Sequence, residues 1–388
     1  MKYSRNVKML LIVSIFMNLS LFTPIETVYF TTKGVPVQII SLLNLIVPIG
    51  CAVLEIPTGI IGDCIGRKKT LSVAMGCFAL SSFLLIFSNC VPMYFIIYLV
   101  EAVGWSFFSG NTDAIIVEDV KGTNLNLGAQ FSFFYAGFSI APIIAGMLNS
   151  TILKNANGDT YRMLIILTFI FKFCSFICTI FLKLKSDISK GSNEAKIIFF
   201  SCLRKVLLEK ESIFIVFYEA CGRLQYYIPV LTQTMLNRNG FDIKLFGVLY
   251  TLITIITAVA QFFANKILEK TNNRFVLKNS MILLVFSVML MISNNNILII
   301  LGLLLISIVG PIRNLPLTLI KNKEIEDEVR STYLSIISFL VLTLNFVVLS
   351  IVGFIFSYSR VCGLAALMVV IFIGGAISVN KICLEGDK

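Results

Sequence analysis

Apolar residues in this chain come neither in strict alternation nor as one stripe of a helix, but in long runs separated by short polar breaks. A helix needs about 20 apolar residues to cross a bilayer core of roughly 30 Å, because every backbone N–H and C=O must be satisfied inside the segment. Runs of that kind lie at residues 8–30, 37–61, 70–89, 92–117, 127–149 and 161–182, and again at 212–236, 243–265, 276–292, 296–320, 331–356 and 360–380. The pattern predicts an all-α integral membrane protein with twelve transmembrane helices. Its longest polar break, residues 183–211, falls after the sixth. The expected domains are an N-terminal six-helix bundle over 1–182, a cytoplasmic linker over 183–211 and a C-terminal six-helix bundle over 212–388. Inside the linker, Ile197, Phe200, Leu203 and Leu207 are interspersed with Lys196, Arg204, Lys205 and Lys210, which predicts an amphipathic helix lying on the inner membrane surface.

Charge placement tests the count independently, since Lys and Arg collect on the cytoplasmic side of membrane proteins. With the N-terminus inside, 23 of the 32 Lys and Arg residues fall in inner segments and 6 in outer ones. Lys172, Arg223 and Arg313 remain within runs. A shift by one helix would scramble this asymmetry, so both termini are expected in the cytoplasm of a multi-pass cell-membrane protein. The first run exceeds 20 residues and lacks a small-residue cleavage site, which marks an anchor rather than a removable signal peptide. Overall, 57% of residues are hydrophobic and 14% charged, against about 25% charged in soluble domains. A soluble enzyme is thereby excluded. The net charge of +11 is spread over the polar breaks, so no nucleic-acid surface is expected. There is no His, and the ten Cys residues are scattered without a CxxC pair, which leaves no metal site and no thiol redox motif. No cofactor is expected.

Ionisable residues inside a membrane each cost about 2.5–3.5 kcal/mol at mid-bilayer and need a partner, a cavity or the interface. Eight lie within or at the ends of the runs: Glu26, Glu55, Glu101, Asp113, Lys172, Glu219, Arg223 and Arg313. Six of these fall on the first, fourth, seventh and tenth runs, which points to a polar surface shared by those helices. The candidates for proton or substrate contact are Glu26, Glu101, Asp113, Lys172, Glu219, Arg223 and Arg313. Glu219 and Arg223, four residues apart with the acid first, suit either a structural ion pair or a site. Lys172 requires a buried acid, for which Glu101 is a candidate. Glu26, Asp113 and Arg313 lie near run ends, where snorkelling to the interface is the expectation. The halves also echo each other: Ser88-Asn89-Cys90 precedes the fourth run as Ser293-Asn294-Asn295-Asn296 precedes the tenth, and Gly110 corresponds to Gly310.

The loop after the second run reads Gly59-Ile60-Ile61-Gly62-Asp63-Cys64-Ile65-Gly66-Arg67-Lys68-Lys69. It resembles motif A of the major facilitator superfamily: Gly59, Asp63, Gly66, Arg67 and Lys68 match at the right spacing. In this gating loop Gly59 and Gly62 would allow close helix approach, Gly66 a tight turn, and Arg67, Lys68 and Lys69 would hold the cytoplasmic side. The resemblance implies that Asp63 latches the halves by meeting the N-terminus of the eleventh helix, with Arg330 as the inter-bundle contact. Cys64 stands where the family usually has Arg. Gly137-Phe138-Ser139-Ile140-Ala141-Pro142-Ile143-Ile144-Ala145-Gly146 is similar to motif C of the antiporter branches, with Gly137, Pro142 and Gly146 as a helix-packing motif.

What this resemblance implies is a secondary active transporter similar to bacterial drug and small-molecule exporters, working by rocking of its halves. Proton-coupled efflux of an amphiphilic or drug-like compound is the expectation. Uptake of a nutrient or metabolite by a symporter of the same fold is the second reading, and a non-transporting membrane receptor the third. No Walker A sequence is present, so ATP is not the energy source. The expected partners are a small-molecule solute, the lipid bilayer and protons, with the chain acting as a monomer.

Overall fold

The structure, a computed structural model, describes residues 3–108, 111–120, 123, 125, 127–153, 158–183, 208–322 and 330–385. Among these residues the chain is helical throughout, with no strand. The first half carries α1 (Arg5–Asn18), α2 (Glu26–Thr32), α3 (Val37–Ile65), α4 (Arg67–Phe87), α5 (Val91–Phe108), α6 (Asn111–Val120), α7 (Leu127–Ile152) and α8 (Gly158–Ile180). The second half carries α9 (Lys210–Arg223), α10 (Ile228–Arg238), α11 (Leu245–Glu269), α12 (Asn273–Ile292), α13 (Asn296–Asn322), α14 (Arg330–Tyr358) and α15 (Arg360–Glu385). Among the described residues, nine helices are long and apolar enough to cross a membrane. The three other expected runs are helical as well: α7, the pair α9 and α10, and α15. The amphipathic helix expected within 194–210 lies almost wholly outside the described residues.

Helix starts follow local chemistry. The Ser4 side chain accepts the Val7 amide at 3.0 Å and caps α1, and Asn272 accepts the Phe275 amide at 2.7 Å and caps α12. Gly66 adopts a φ of 88°, which a residue with a Cβ rarely tolerates, and so turns the chain from α3 into α4.

Two runs that hydropathy reads as single helices are broken. α1 stops at Asn18, a short 3₁₀ turn occupies Thr23–Ile25, and α2 restarts at Glu26. In the second half, α9 stops at Arg223, a 3₁₀ turn spans Leu224–Tyr227, and α10 follows. A proline stands at each break, Pro24 and Pro229, at the same offset from Arg5 and Lys210 respectively. Proline has no N–H to donate and its ring clashes with the carbonyl four residues back, so each helix is interrupted there.

The chain divides into two compact units. One comprises Met1–Tyr29, Ile46–Ser192 and Asp242–Leu252; the other comprises Phe30–Leu45, Asn193–Phe241 and Ile253–Lys388. In the first unit α1 packs on α7 and α8, and α4 on α5 and α8. Its core joins Val7, Leu10, Val13 and Met17 of α1 to Leu71 and Phe78 of α4. In the second unit α9 packs on α14 and α15, and α12 on α13 and α15. The two sets of pairings correspond one for one when α1 is matched with α9, α4 with α12, α5 with α13, α7 with α14 and α8 with α15. Large apolar side chains such as Leu99, Met147, Phe262, Ile297 and Phe372 are exposed, an outward face suited to lipid.

Candidate functional site

The break in the first run leaves backbone groups without helical partners, and neighbouring helices supply them. Thr168 Oγ1 on α8 accepts the amides of Leu21 and Phe22 at 3.0 and 3.2 Å, while Asn149 Nδ2 on α7 donates to the Leu21 carbonyl at 2.7 Å. The break is thus built into the unit, as required where irregular backbone lies at membrane depth.

Beside this break sits a cluster of ionisable groups. Glu26, the first residue of α2, accepts a hydrogen bond from the Tyr98 hydroxyl on α5. One turn further along α5, Glu101 pairs with Lys172 of α8 at 3.7 Å. Lys172 is buried, and its ammonium stands 6.0 Å from the centroid of the Phe78 ring. Glu101 and Lys172 are both close enough to act electrostatically on Glu26. Two carboxylates therefore stand near one ammonium, which pairs with Glu101, while Glu26 is held by the donated Tyr98 hydroxyl.

The second unit holds the opposite balance. Glu219 on α9 accepts Arg223 Nη2 at 2.6 Å and, through its other oxygen, Lys321 Nζ at 2.9 Å from the end of α13. Glu219 is only 3% exposed. Arg313 lies in the middle of α13 between Pro311 and Pro316, and it is 0% exposed, which corrects the snorkelling expected from its position near a run end. The reason is Gly222: a Cβ there would overlap Arg313 Nη1, so the bare backbone makes room for the guanidinium inside the protein. One turn on, the arrangement reverses, with Gln225 lying against Gly310.

The other expected residues lie on several elements. Asp113 is in the first turn of α6, where a carboxylate suits the positive end of the helix dipole. Arg67 Nε meets Glu118 Oε1 at 3.2 Å in an exposed pair. Lys68 Nζ donates to the Ile180 and Leu182 carbonyls at 2.6 and 2.8 Å and so satisfies the end of α8. Lys69 is exposed, and Gly59 and Gly62 lie on α3. The side chains of Asp63 and Arg330 lie outside the described residues, and with them the expected latch. Gly137 and Pro142 fall within α7. Gly146 meets α11 at Gly247 and Thr251, whose hydroxyl donates to the Gly247 carbonyl at 2.9 Å; a Cβ on either glycine would collide with the facing helix.

Tyr98, Lys321 and Gln225 escaped sequence reasoning. Tyr98 stands three residues before Glu101, on the same helix face, which is the one signal that could have found it. Lys321 reads as an inner-surface cation, and Gln225 carries no charge to flag it.

A family model described as Major Facilitator Superfamily matches residues 9–341. No curated protein matches the sequence. Among solved structures, the nucleoside transporter NupG is similar over 97% of each chain with a TM-score of 0.76 at 14% identity. A D-xylose-proton symporter is similar over 97% of this chain and 96% of its own, with a TM-score of 0.73 at 13% identity. A POT family transporter in complex with 5-aminolevulinic acid aligns over 99% and 96% respectively, with a TM-score of 0.76 at 11% identity. At these identities the likeness is one of fold. With the family matched over most of its length, the chain belongs to the Major Facilitator Superfamily and is a multi-pass membrane transporter rather than an enzyme.

Proposed function

We propose that this chain is a proton-coupled secondary transporter of the cell membrane that exports an amphiphilic small molecule by alternating access. On this reading twelve spans form two six-helix bundles, residues 1–182 and 212–388. The linker 183–211 and both termini then lie in the cytoplasm. The observation that carries proton coupling is the cluster around the first broken helix, where Glu26 accepts from Tyr98 and Glu101 pairs with Lys172 within electrostatic reach of Glu26. Protonation of one carboxylate would leave a neutral pair with the ammonium, and its loss would restore the negative charge. Two protonation states of similar stability are what coupling to a proton gradient requires. Export is favoured by the resemblance of the segment around Gly137, Pro142 and Gly146 to the antiporter motif.

Proteoliposomes with an imposed pH gradient test this reading. Wild-type protein is expected to drive solute against its gradient at the expense of the proton gradient. Glu101→Gln and Glu26→Gln should each lower proton-driven accumulation by about tenfold or more, the rate equivalent of 1.4 kcal/mol, while solute exchange at equal pH persists. Full proton-driven accumulation in both variants would move coupling away from this cluster. Uptake by symport is the second reading, favoured by fold neighbours that include a D-xylose-proton symporter. It predicts that solute and protons move in the same direction in the same vesicles.

A further inference from the structure

Among the described residues, the second unit contains a cation without a carboxylate partner. Arg223 and Lys321 share the single carboxylate of Glu219. Among the described residues, Arg313 has no carboxylate within ion-pairing distance; its Nη2 donates to Asn314 Oδ1 at 3.2 Å, and the buried Nε and Nη1 have no partner. Arg223, Lys321 and Arg313 thus have between them the one carboxylate of Glu219. Arginine cannot escape this situation by losing its proton, unlike lysine or histidine. A buried guanidinium with unused donors is among the least favourable groups a membrane protein can hold, and such residues mark sites where an ion or substrate completes the charge.

The surroundings of Arg313 have the form of a site. Gly222 and Gly310 face each other's helices one turn apart, the first leaving room for Arg313 and the second for Gln225. Gln225 is 2% exposed, and its Oε1 is a buried acceptor with no partner. An unused set of cationic donors therefore lies one turn from an unused acceptor. Pro311 and Pro316 each remove one backbone donor from the continuous α13 on either side of Arg313, and the 3₁₀ turn Leu224–Tyr227 interrupts the facing segment at Gln225. In transporters an interrupted helix at membrane depth, like the one broken here at Leu224–Tyr227, is where solutes bind. Arg313 is fully buried, so a solute reaches it only when the surrounding helices move apart.

We propose that Arg313 is the anchor for an anionic group on the transported solute, a carboxylate or phosphate, and that Gln225 accepts a hydrogen bond from a donor on the same solute. The inference rests on the transporter reading and narrows its substrate to an amphiphilic organic anion.

The test uses the full chain purified in detergent and, in parallel, reconstituted in vesicles. The probes are benzoate, salicylate and octanoate as carboxylates, phenyl phosphate and glycerol 3-phosphate as phosphates, and benzyl alcohol and benzylamine as uncharged and cationic controls. At least one anionic series is expected to raise the wild-type Tm and to be transported, with the two series distinguishing carboxylate from phosphate. Arg313→Gln should lose the anion-dependent rise and reduce anion transport by about tenfold or more, and Arg313→Lys should retain part of both. Without solute, Arg313→Gln should melt no lower than wild type, because it removes an uncompensated charge. A lower Tm in Arg313→Gln, with the anion-dependent rise intact, would make Arg313 structural and overturn the proposal. Transport of the alcohol or amine but of no anion would overturn it while leaving the transporter reading intact. An anion-dependent rise that depends on Arg313, in a protein that moves nothing, would uphold the site and sink the transport reading instead. A protein that neither binds nor moves any probe would overturn both.

Discussion

Glu219 serves two cations with its two carboxylate oxygens, at 2.6 and 2.9 Å, inside a protein where few other groups could do so. Removing one member of a buried ionic network leaves the others unpaired in low dielectric, a loss of about 3–5 kcal/mol. Glu219→Ala is accordingly expected to lower the Tm in detergent substantially, and Lys321→Met in the same background to restore part of the loss. An unchanged Tm in Glu219→Ala would mean that the cations find other partners. Half of this network is legible from spacing, because Glu219 and Arg223 are four residues apart on one helix. Lys321 joins from 102 residues away, and no local pattern carries such a contact. Arg313 illustrates the complementary failure: position along a hydrophobic run suggests an interface residue, but the decisive neighbour is the missing side chain of Gly222.

At the scale of elements, the breaks in α1–α2 and α9–α10 were hidden by composition. Leu19, Leu21, Phe22 and Ile25 in the first, and Leu224, Tyr226 and Tyr227 in the second, give the breaks an apolar character that composition does not set apart from the helices they interrupt. Proline is no reliable guide either, since membrane helices tolerate it when neighbours re-satisfy the freed backbone; Pro48, Pro57 and Pro142 all lie inside continuous helices. What distinguishes the first break is a ready acceptor, Thr168. Thr168→Val keeps the shape but strands the Leu21 and Phe22 amides, each an orphaned buried donor at about 1–3 kcal/mol. A fall of roughly 2–4 kcal/mol in unfolding free energy is expected, with Thr168→Ser close to wild type. Equal stability of the Val and Ser variants would show that the hydroxyl is dispensable there.

For the whole molecule, the alternation of runs and breaks was enough to read an all-helical membrane protein, and the Gly59 to Lys69 segment was enough to read the family. The one-for-one correspondence between packing pairs in the two units was foreshadowed by the polar breaks before the fourth and tenth runs, by Gly110 and Gly310, and by the ionisable residues gathered on the first, fourth, seventh and tenth runs. The membership of the compact units was not legible at all, because which helix end packs where depends on contacts far apart in the chain. Each unit includes a piece from the other half: residues 242–252 belong with the first, and 30–45 with the second. The Gly146–Gly247 contact of α7 with α11 is one such junction. A fragment ending at residue 192 therefore lacks part of its own unit. It is expected to be short-lived when expressed alone and to persist when the fragment 193–388 is made in the same cell, as pulse-chase labelling would read. Equal lifetimes would show that the missing pieces contribute little.

The exchanged segments also impose an order on synthesis. The ribosome delivers residues 30–45 long before their neighbours in the second half exist, so the first turns of α3 must wait in the bilayer with lipid or a chaperone on the face that later becomes interior. The molecule can finish its first unit only after it has begun its second, and a stalled ribosome between the halves would hand the cell's membrane quality control two unfinished surfaces rather than one completed domain.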